Sequence, residues 1–393
     1  MVFDFNLQSS LLIPPFIQGI VYFFLILFRE KKGNSLSDIF LSVLLLLNSI
    51  KIAYWMLGFA GWYDTHDSFT SFMFYFPFNN VIIFGPVLYF YFKSLINTDF
   101  KIEIKHLKHF VLPIIWLLLV FSKFIIDFIF YYPFPNNADY QFGTKGPFAE
   151  IDKYEVVSTI AYLSFLYYLI ITLKEYKDYK IYINENFSST DKINFNWLRN
   201  MIYILAISVV IMFFFFSFDL INNGLSYYQN WYSYLFLGIL TYYVSINGYH
   251  NNYSYRIKLQ YLEKEKIIVE IVNNNKNTEE INFWKEKLNT FIEEKKSFLN
   301  PEITLSELSK ALNQNANFIS KIINEGYDIN FNDFINYHRT QEFIKKIEKG
   351  EHKKNTLIAL AYECGFNSKT TFNRAFKKIF LMTPIDYIHL KKY

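Results

Sequence analysis

Thr304-Leu-Ser-Glu-Leu-Ser-Lys-Ala-Leu-Asn313 and, after one residue, Asn315-Ala-Asn-Phe-Ile-Ser-Lys-Ile-Ile-Asn324 read as two short helices separated by a tight break. Thr304 and Glu307 have the S/T-x-x-E spacing of a capping box, which predicts a helix start at Thr304. The pattern recurs as Thr356-Leu-Ile-Ala-Leu-Ala-Tyr-Glu-Cys-Gly365 followed by Phe366-Asn-Ser-Lys-Thr-Thr-Phe-Asn-Arg-Ala-Phe-Lys-Lys378. Gly365 stands where one helix must end and the chain turn sharply, a position that commonly needs positive φ. Between the pairs, residues 332–349 have the length of a helix of roughly 27 Å at 1.5 Å per residue. Its apolar residues, Phe331, Phe334, Ile335, Phe343 and Ile347, form no single stripe, which predicts contact with both pairs. Residues 300–387 are therefore expected to hold two helix-turn-helix units joined by one long helix.

At these residues the chain resembles the C-terminal DNA-binding domain of AraC/XylS-type transcription regulators. The resemblance is carried by Leu-x-x-Leu-Ser-Lys-x-Leu-Asn in the first unit. In the second it is carried by Ala361-Tyr-Glu-Cys-Gly-Phe366, Phe372-Asn-Arg-Ala-Phe-Lys-Lys378 and Thr383-Pro384-x-x-Tyr387. Leu381 stands where the family usually has glycine, and Gly326-Tyr-Asp-Ile-Asn330 is an unusual version of the loop after the first recognition helix. The resemblance implies double-stranded promoter DNA as partner. In a helix-turn-helix the second helix presents its N-terminal residues to base edges. Asn317, Ser320 and Lys321 in the first unit and Lys369, Thr370, Asn373 and Arg374 in the second are expected to face DNA. Arg374 suits guanine, Asn317 or Asn373 suits adenine, and Lys377 and Lys378 suit phosphates. Phe318, Ile319, Ile322, Phe372 and Phe376 are expected to point inward.

The whole chain is 52% hydrophobic and 21% aromatic over 393 residues, too apolar for an ordinary soluble regulator. Its net charge is only +4, but Phe366 to Lys378 contains four cations and no acid, so positive charge is concentrated on one predicted helix. The single cysteine, Cys364, excludes an intramolecular disulfide and a cysteine-cluster metal site, and is expected to pack in the helix-turn-helix core.

Seven apolar stretches precede His250: Leu11–Phe28, Ile39–Ala60, Phe72–Leu95, Phe110–Phe130, Tyr154–Leu173, Trp197–Ile221 and Tyr232–Tyr249. Each is near the ~20 residues that a helix needs to cross a ~30 Å hydrocarbon core. The first lacks preceding basic residues and a small-residue cleavage site, so it reads as an uncleaved span. Twelve Lys and Arg residues fall on the side of the loops after stretches one, three and five, and two on the other side. The positive-inside rule then places the N-terminus outside and everything after the seventh stretch in the cytoplasm. Trp62, Tyr63, Tyr131, Tyr132, Tyr227, Tyr228, Trp231 and Tyr232 mark outer interfaces.

Ionisable residues within the spans are few, and Lys51, Lys123, Asp127 and Asp219 are among them. Charge inside hydrocarbon marks function or pairing. Lys123 and Asp127, four apart, share a helical face. Lys51, Asn79, Asn80 and Asp219 are candidates for a sensor pocket, with Pro86 kinking the third span. Arg256–Val272 places Leu259, Leu262, Lys266 and Val269 at heptad spacing, a candidate dimerising linker helix. Ile281–Phe298 reads as a lead-in helix with Trp284, Leu288, Phe291 and Ile292 on its apolar face.

The expected architecture is all-α: a polytopic seven-helix membrane bundle over 1–250, a cytoplasmic linker over 251–281, and a domain of two helix-turn-helix units joined by a long helix over 282–393. The expected function is a membrane-bound one-component transcription regulator of the cytoplasmic membrane, controlled by a small-molecule or membrane-derived signal, with no enzymatic activity and no cofactor or metal. Two alternatives differ in output. A sensor with an enzymatic output would need a phosphate loop or kinase-like boxes after Tyr249, and none is visible. A transporter or sensor whose helix-turn-helix tail binds protein would favour internal repeats and polar residues at mid-membrane, and neither is visible.

Overall fold

The computed structural model describes residues 3–29, 36–97, 100–134, 143–150, 154–191, 193, 195–222, 227–251 and 277–391. Among them the secondary structure is helical, with no β-strand; Phe187 and Thr304 form an isolated antiparallel bridge. The chain divides into two compact units, residues 1–176 with 196–261, and residues 177–195 with 262–393.

The first unit contains α1 (Leu7–Leu27), α2 (Leu36–Phe59), the short α3 (Ser68–Met73), α4 (Val81–Ile96), α5 (Val111–Phe130), α6 (Pro147–Glu150), most of α7 (Tyr154–Asn186), α8 (Asn196–Asn222) and α9 (Tyr227–Asn251). Among the described residues, four helical spans are long and apolar enough to cross a membrane: Leu7–Leu27, Leu36–Phe59, Ile104–Phe130 and Val156–Asn186. The third predicted stretch is not one helix. It divides into α3 and α4, and the chain between them carries Pro77, which has no amide hydrogen to extend a helical ladder. Pro86, expected to mark a kink, lies inside α4. The fifth stretch instead runs on past Leu173 to Asn186, because Lys174-Glu-Tyr-Lys-Asp-Tyr-Lys180 ends an apolar run without ending a helix.

α1, α2 and α9 pack around Leu12, Ile52, Trp55, Met56, Phe59, Trp231 and Tyr234. Polar and small side chains hold these helices close. Asn48 Nδ2 donates to Thr241 Oγ1 at 2.5 Å and Gln18 Nε2 to Ser245 Oγ at 3.1 Å. A Cβ on Gly19 would lie 2.0 Å from Ser49 Oγ, so glycine is required for this approach. Small residues let helix backbones approach closely, and polar side chains tie the helices across that approach. α5 exposes Leu118, Phe121, Ile129 and Phe130, each more than half accessible. The Asp127 carboxylate of α5 is fully buried and accepts from Tyr75 Oη at 2.6 Å and from the amides of Phe148 and Ala149 at 3.1 and 3.0 Å, all outside its own helix.

In the second unit, α10 (Asn277–Lys295) leads into α11 (Leu305–Ala311) and α12 (Ala316–Tyr327), which form the first pair. α13 (Phe331–Glu348) connects them to α14 (Leu357–Glu363), α15 (Lys369–Phe380) and α16 (Pro384–Lys391). The Thr304–Glu307 capping box is formed in both directions, at 3.2 and 2.9 Å. Gly365 has φ +91°, and a Cβ there would lie 2.5 Å from the Phe298 carbonyl oxygen. The absence of one stripe on α13 has its expected meaning. Phe331, Phe334 and Ile335 enter a core with Leu288, Ile292, Ile319 and Ile322, whereas Phe343, Ile344 and Ile347 enter a second core with Leu360, Phe366, Phe372 and Phe376. Cys364 is fully buried in that second core, and burial pushes its thiol up to about 12. The linker helix expected at Arg256–Val272 lies outside the described residues.

At the middle of α13, Arg339 is 1% exposed. Its Nε donates to the Phe298 carbonyl at 2.8 Å and its Nη2 to the Asn300 carbonyl at 2.8 Å and Ser188 Oγ at 3.2 Å. Asn332 Nδ2 donates to the Ser188 carbonyl at 2.8 Å, and the Ser188 amide donates to Ile303 O at 3.2 Å. The segment 177–195, which by hydropathy belongs with the loops of the first domain, is thus fastened into the second unit.

His338 lies beside Arg339, 6% exposed, between the rings of Phe298 and Phe334, with its Nε2 unpartnered. Burial pushes its pKa down to about 4 against a partial opposing pull from Glu293, and Lys345 pushes it further down. The unfolded chain therefore takes up this proton first, near pH 6.5. Stability contributed by neutral His338 is complete above that pH and is lost as pH falls toward 4, by about 3 kcal/mol. Amide exchange of α13 in the intact chain should show this loss between pH 6.5 and 4, and His338→Leu should flatten the profile in that window.

Candidate nucleic-acid interface

The second helix of each pair is fixed by a side-chain cap and by its inward face. Asn315 Oδ1 accepts from the Asn317 amide at 2.8 Å and begins α12. Ile319, Ile322 and Ile323 are buried, and Phe318 packs edge-on against Trp284 at 5.4 Å. That leaves Asn317 and Lys321 exposed and Ser320 half-buried. Lys321 stands 3.9 Å from Glu325 one turn on, so its charge is partly met within the helix.

In α15 the Ser368 hydroxyl oxygen accepts from the Thr371 amide at 3.1 Å. Phe372 and Phe376, four apart, are buried against Phe343 and set the helix's rotation. Lys369, Thr370, Asn373, Arg374 and Lys377 are all exposed as a result. α15 contains no acid, so its outward face pairs three cations with two neutral hydrogen-bonding side chains, a composition suited to phosphate and base edges. Lys378 is engaged inside the unit, 2.7 Å from Asp333 at the start of α13. The Thr383-Pro384-x-x-Tyr387 motif also serves the fold. Thr383 caps α16, and the Tyr387 ring packs on Phe376 and Phe380 at 5.6 and 5.0 Å.

With this geometry in place, the comparison with known families is direct. Residues 308–389 match the family model of a helix-turn-helix domain, of the AraC type. No curated protein and no solved structure matches the chain. The match begins in α11 and ends in α16, so it takes in the second helix of each pair, α12 and α15, and α13 between them.

Sequence reasoning missed a contact on α15. Asp191 accepts hydrogen bonds from Ser368 Oγ at 2.5 Å and from Thr371 Oγ1, both on one carboxylate oxygen. Its other oxygen lies 4.0 Å from the Arg374 guanidinium. Asp191 is about 180 residues from these partners, and no local pattern in the sequence signals the pairing.

The first unit holds a cavity of about 310 Å³. Lys51, Lys123, Lys145, Asn79, Trp116 and Tyr234 are among its lining residues, and no described lining residue is acidic. Of the four candidate sensor residues it brings together Lys51 and Asn79. Asn80 points elsewhere, donating to the Leu47 carbonyl at 2.8 Å. Asp219 lies on α8, and its side chain is outside the described residues.

Leu381 closes α15 at φ +59°, in the left-handed region, with 85% of its surface exposed. It gains little burial to offset that backbone cost, which for a non-glycine residue is about 1 kcal/mol. Leu381→Gly is expected to stabilise the second unit by about that amount, read as slower amide exchange in α15 and α16.

Proposed function

We propose that this chain is a membrane-bound one-component transcription regulator whose second unit reads double-stranded DNA in the cytoplasm under control of a signal received by the first. The observation that carries this reading is the outward face of α15. It is exposed and basic and carries no acid of its own, on the second helix of a unit that matches an AraC-type helix-turn-helix domain. Asn317, Ser320 and Lys321 of α12 and Lys369, Thr370, Asn373, Arg374 and Lys377 of α15 are the DNA-facing residues. The ~27 Å length of α13 suits two recognition helices set in successive major grooves, which repeat every ~34 Å.

The seven-helix assignment of the first unit, with α1, α2, α4, α5, α7, α8 and α9 as spans, is supported by the four long apolar spans and by the exposed apolar face of α5. The distribution of loop charge favours an outside N-terminus in the cytoplasmic membrane. The lysine-lined cavity is the signal site in this reading, and its chemistry suits a small molecule carrying negative charge and an apolar or aromatic part. Pairing of two chains through Arg256–Val272 would match the two-fold character of many operators.

The reading is tested in cells by crosslinking the intact protein to genomic DNA. Discrete promoter peaks are expected, lost in a Lys369→Ala, Arg374→Ala double variant. In Lys51→Gln the peaks should persist but cease to vary with growth condition. No peaks above background in the parent protein would remove the DNA assignment and favour a helix-turn-helix fold used to bind protein. Once an operator is known, Arg374→Ala should cost about 1–3 kcal/mol of binding and relax sequence preference, measured by titration against base-substituted operators. Lys377→Ala should weaken all sequences alike and lower the salt slope by about 1.

A further inference from the structure

The segment between α7 and α8, itself part of the second unit, meets the rest of that unit at two kinds of contact. Ser188 is an anchor: it is 1% exposed, its carbonyl accepts from buried Asn332 and its hydroxyl oxygen from buried Arg339. Asp191, three residues on, is different. Its side chain is 31% exposed, and every partner it has on α15 lies at the N-terminal half of that helix: Ser368, Thr371 and Arg374. The anchor therefore holds a carboxylate over the end of the helix that a helix-turn-helix sends toward DNA.

From this geometry we infer that Asp191 is an autoinhibitory competitor, an anion of the chain's own that occupies the phosphate-binding end of α15 and must leave before DNA can be bound there. The inference rests on the DNA-reading assignment of α15. A DNA phosphate seeks the donors that Asp191 uses: a hydroxyl at a helix N-cap, the positive end of the helix and a guanidinium. One carboxylate oxygen takes both hydroxyl protons and the other faces Arg374, so a phosphate at the same place would meet occupied donors and a like charge. Release requires no unfolding. Ser188 can stay with Arg339 and Asn332 while Asp191 leaves, since it meets α15 through side chains alone: half-buried Ser368, buried Thr371 and exposed Arg374.

Such a competitor lowers apparent DNA affinity by the fraction of molecules in which it is docked. The test uses the full chain in nanodiscs and a pool of random-sequence duplex DNA at low salt. Asp191→Asn and Asp191→Ser are compared with the parent and with Asp178→Asn, which removes an exposed carboxylate from the same segment and so reports the effect of net charge alone. Both Asp191 variants are expected to bind about tenfold tighter than the parent, with Asp178→Asn within about twofold. Amide exchange of α13 unchanged in the variants would show that the anchor remains. Asp191 variants that bind no tighter than Asp178→Asn would overturn the inference while leaving α15 as a DNA reader. Absence of DNA binding by every protein would overturn the DNA assignment itself, and this inference with it.

Discussion

A guanidinium removed from water must be given acceptors, and at Arg339 all of those described are neutral: the carbonyl oxygens of Phe298, Asn300 and Ser188, the Ser188 hydroxyl and the Asn336 amide oxygen. Burial without a carboxylate partner lowers its pKa to about 9, still leaving it charged at neutral pH. The acceptors come from three places in the chain, the turn after α10, α13 itself and the end of α7. A buried charge with this many fixed partners tolerates little displacement of any of them. The placing of Ser188 against α13 and the turn after α10 depends on this side chain, with Asn332 beside it.

Around that centre the second unit is built as two small cores on one rod. Each core alone is little larger than a helix pair can bury, and α13 completes both. This explains why caps and turns are so well formed: Thr304, Asn315, Asn330, Thr356 and Ser368 each accept a backbone amide at a helix start. Short helices with little area to bury depend on such terminal hydrogen bonds. Lys346 adds a polar tie, 3.0 Å from Glu351 and 2.7 Å from Glu363, between α13 and the start of the second core.

Local rules made much of this legible. The capping box at Thr304, the left-handed turn at Gly365, the buried Phe372 and Phe376 and the exposed cations of α15 all follow from residues within a few positions of one another. So did the double allegiance of α13, because an interrupted apolar stripe can mean two partners. What stayed hidden was long-range. Hydropathy marks where a chain leaves lipid and says nothing of where a helix stops, so the extension of α7 to Asn186 was missed. Pro77, in an otherwise apolar run, outweighed the run's length and divided the third stretch. Lys378, which suits phosphate by position, also meets Asp333 across the fold, a contact that no local pattern signals. Asp191 and Ser188 gave no sign, since a polar loop residue acquires meaning only from what packs against it.

The second unit is written in two pieces of chain, 177–195 and 262–393, with α8 and α9 between them. During synthesis the first piece is made long before the residues that receive it, so Arg339 finds its full set of acceptors only when two distant parts of the chain are both in place. Proteolysis meets the same arrangement from the other side. A cut between Asn251 and Asn277 would sever one covalent connection, but Ser188 would remain on the N-terminal fragment. A C-terminal fragment set free by such a cut would carry Arg339 and Asn332 without their Ser188 acceptors. Liberation of this unit by a single cleavage is therefore a change in its core as well as in its location.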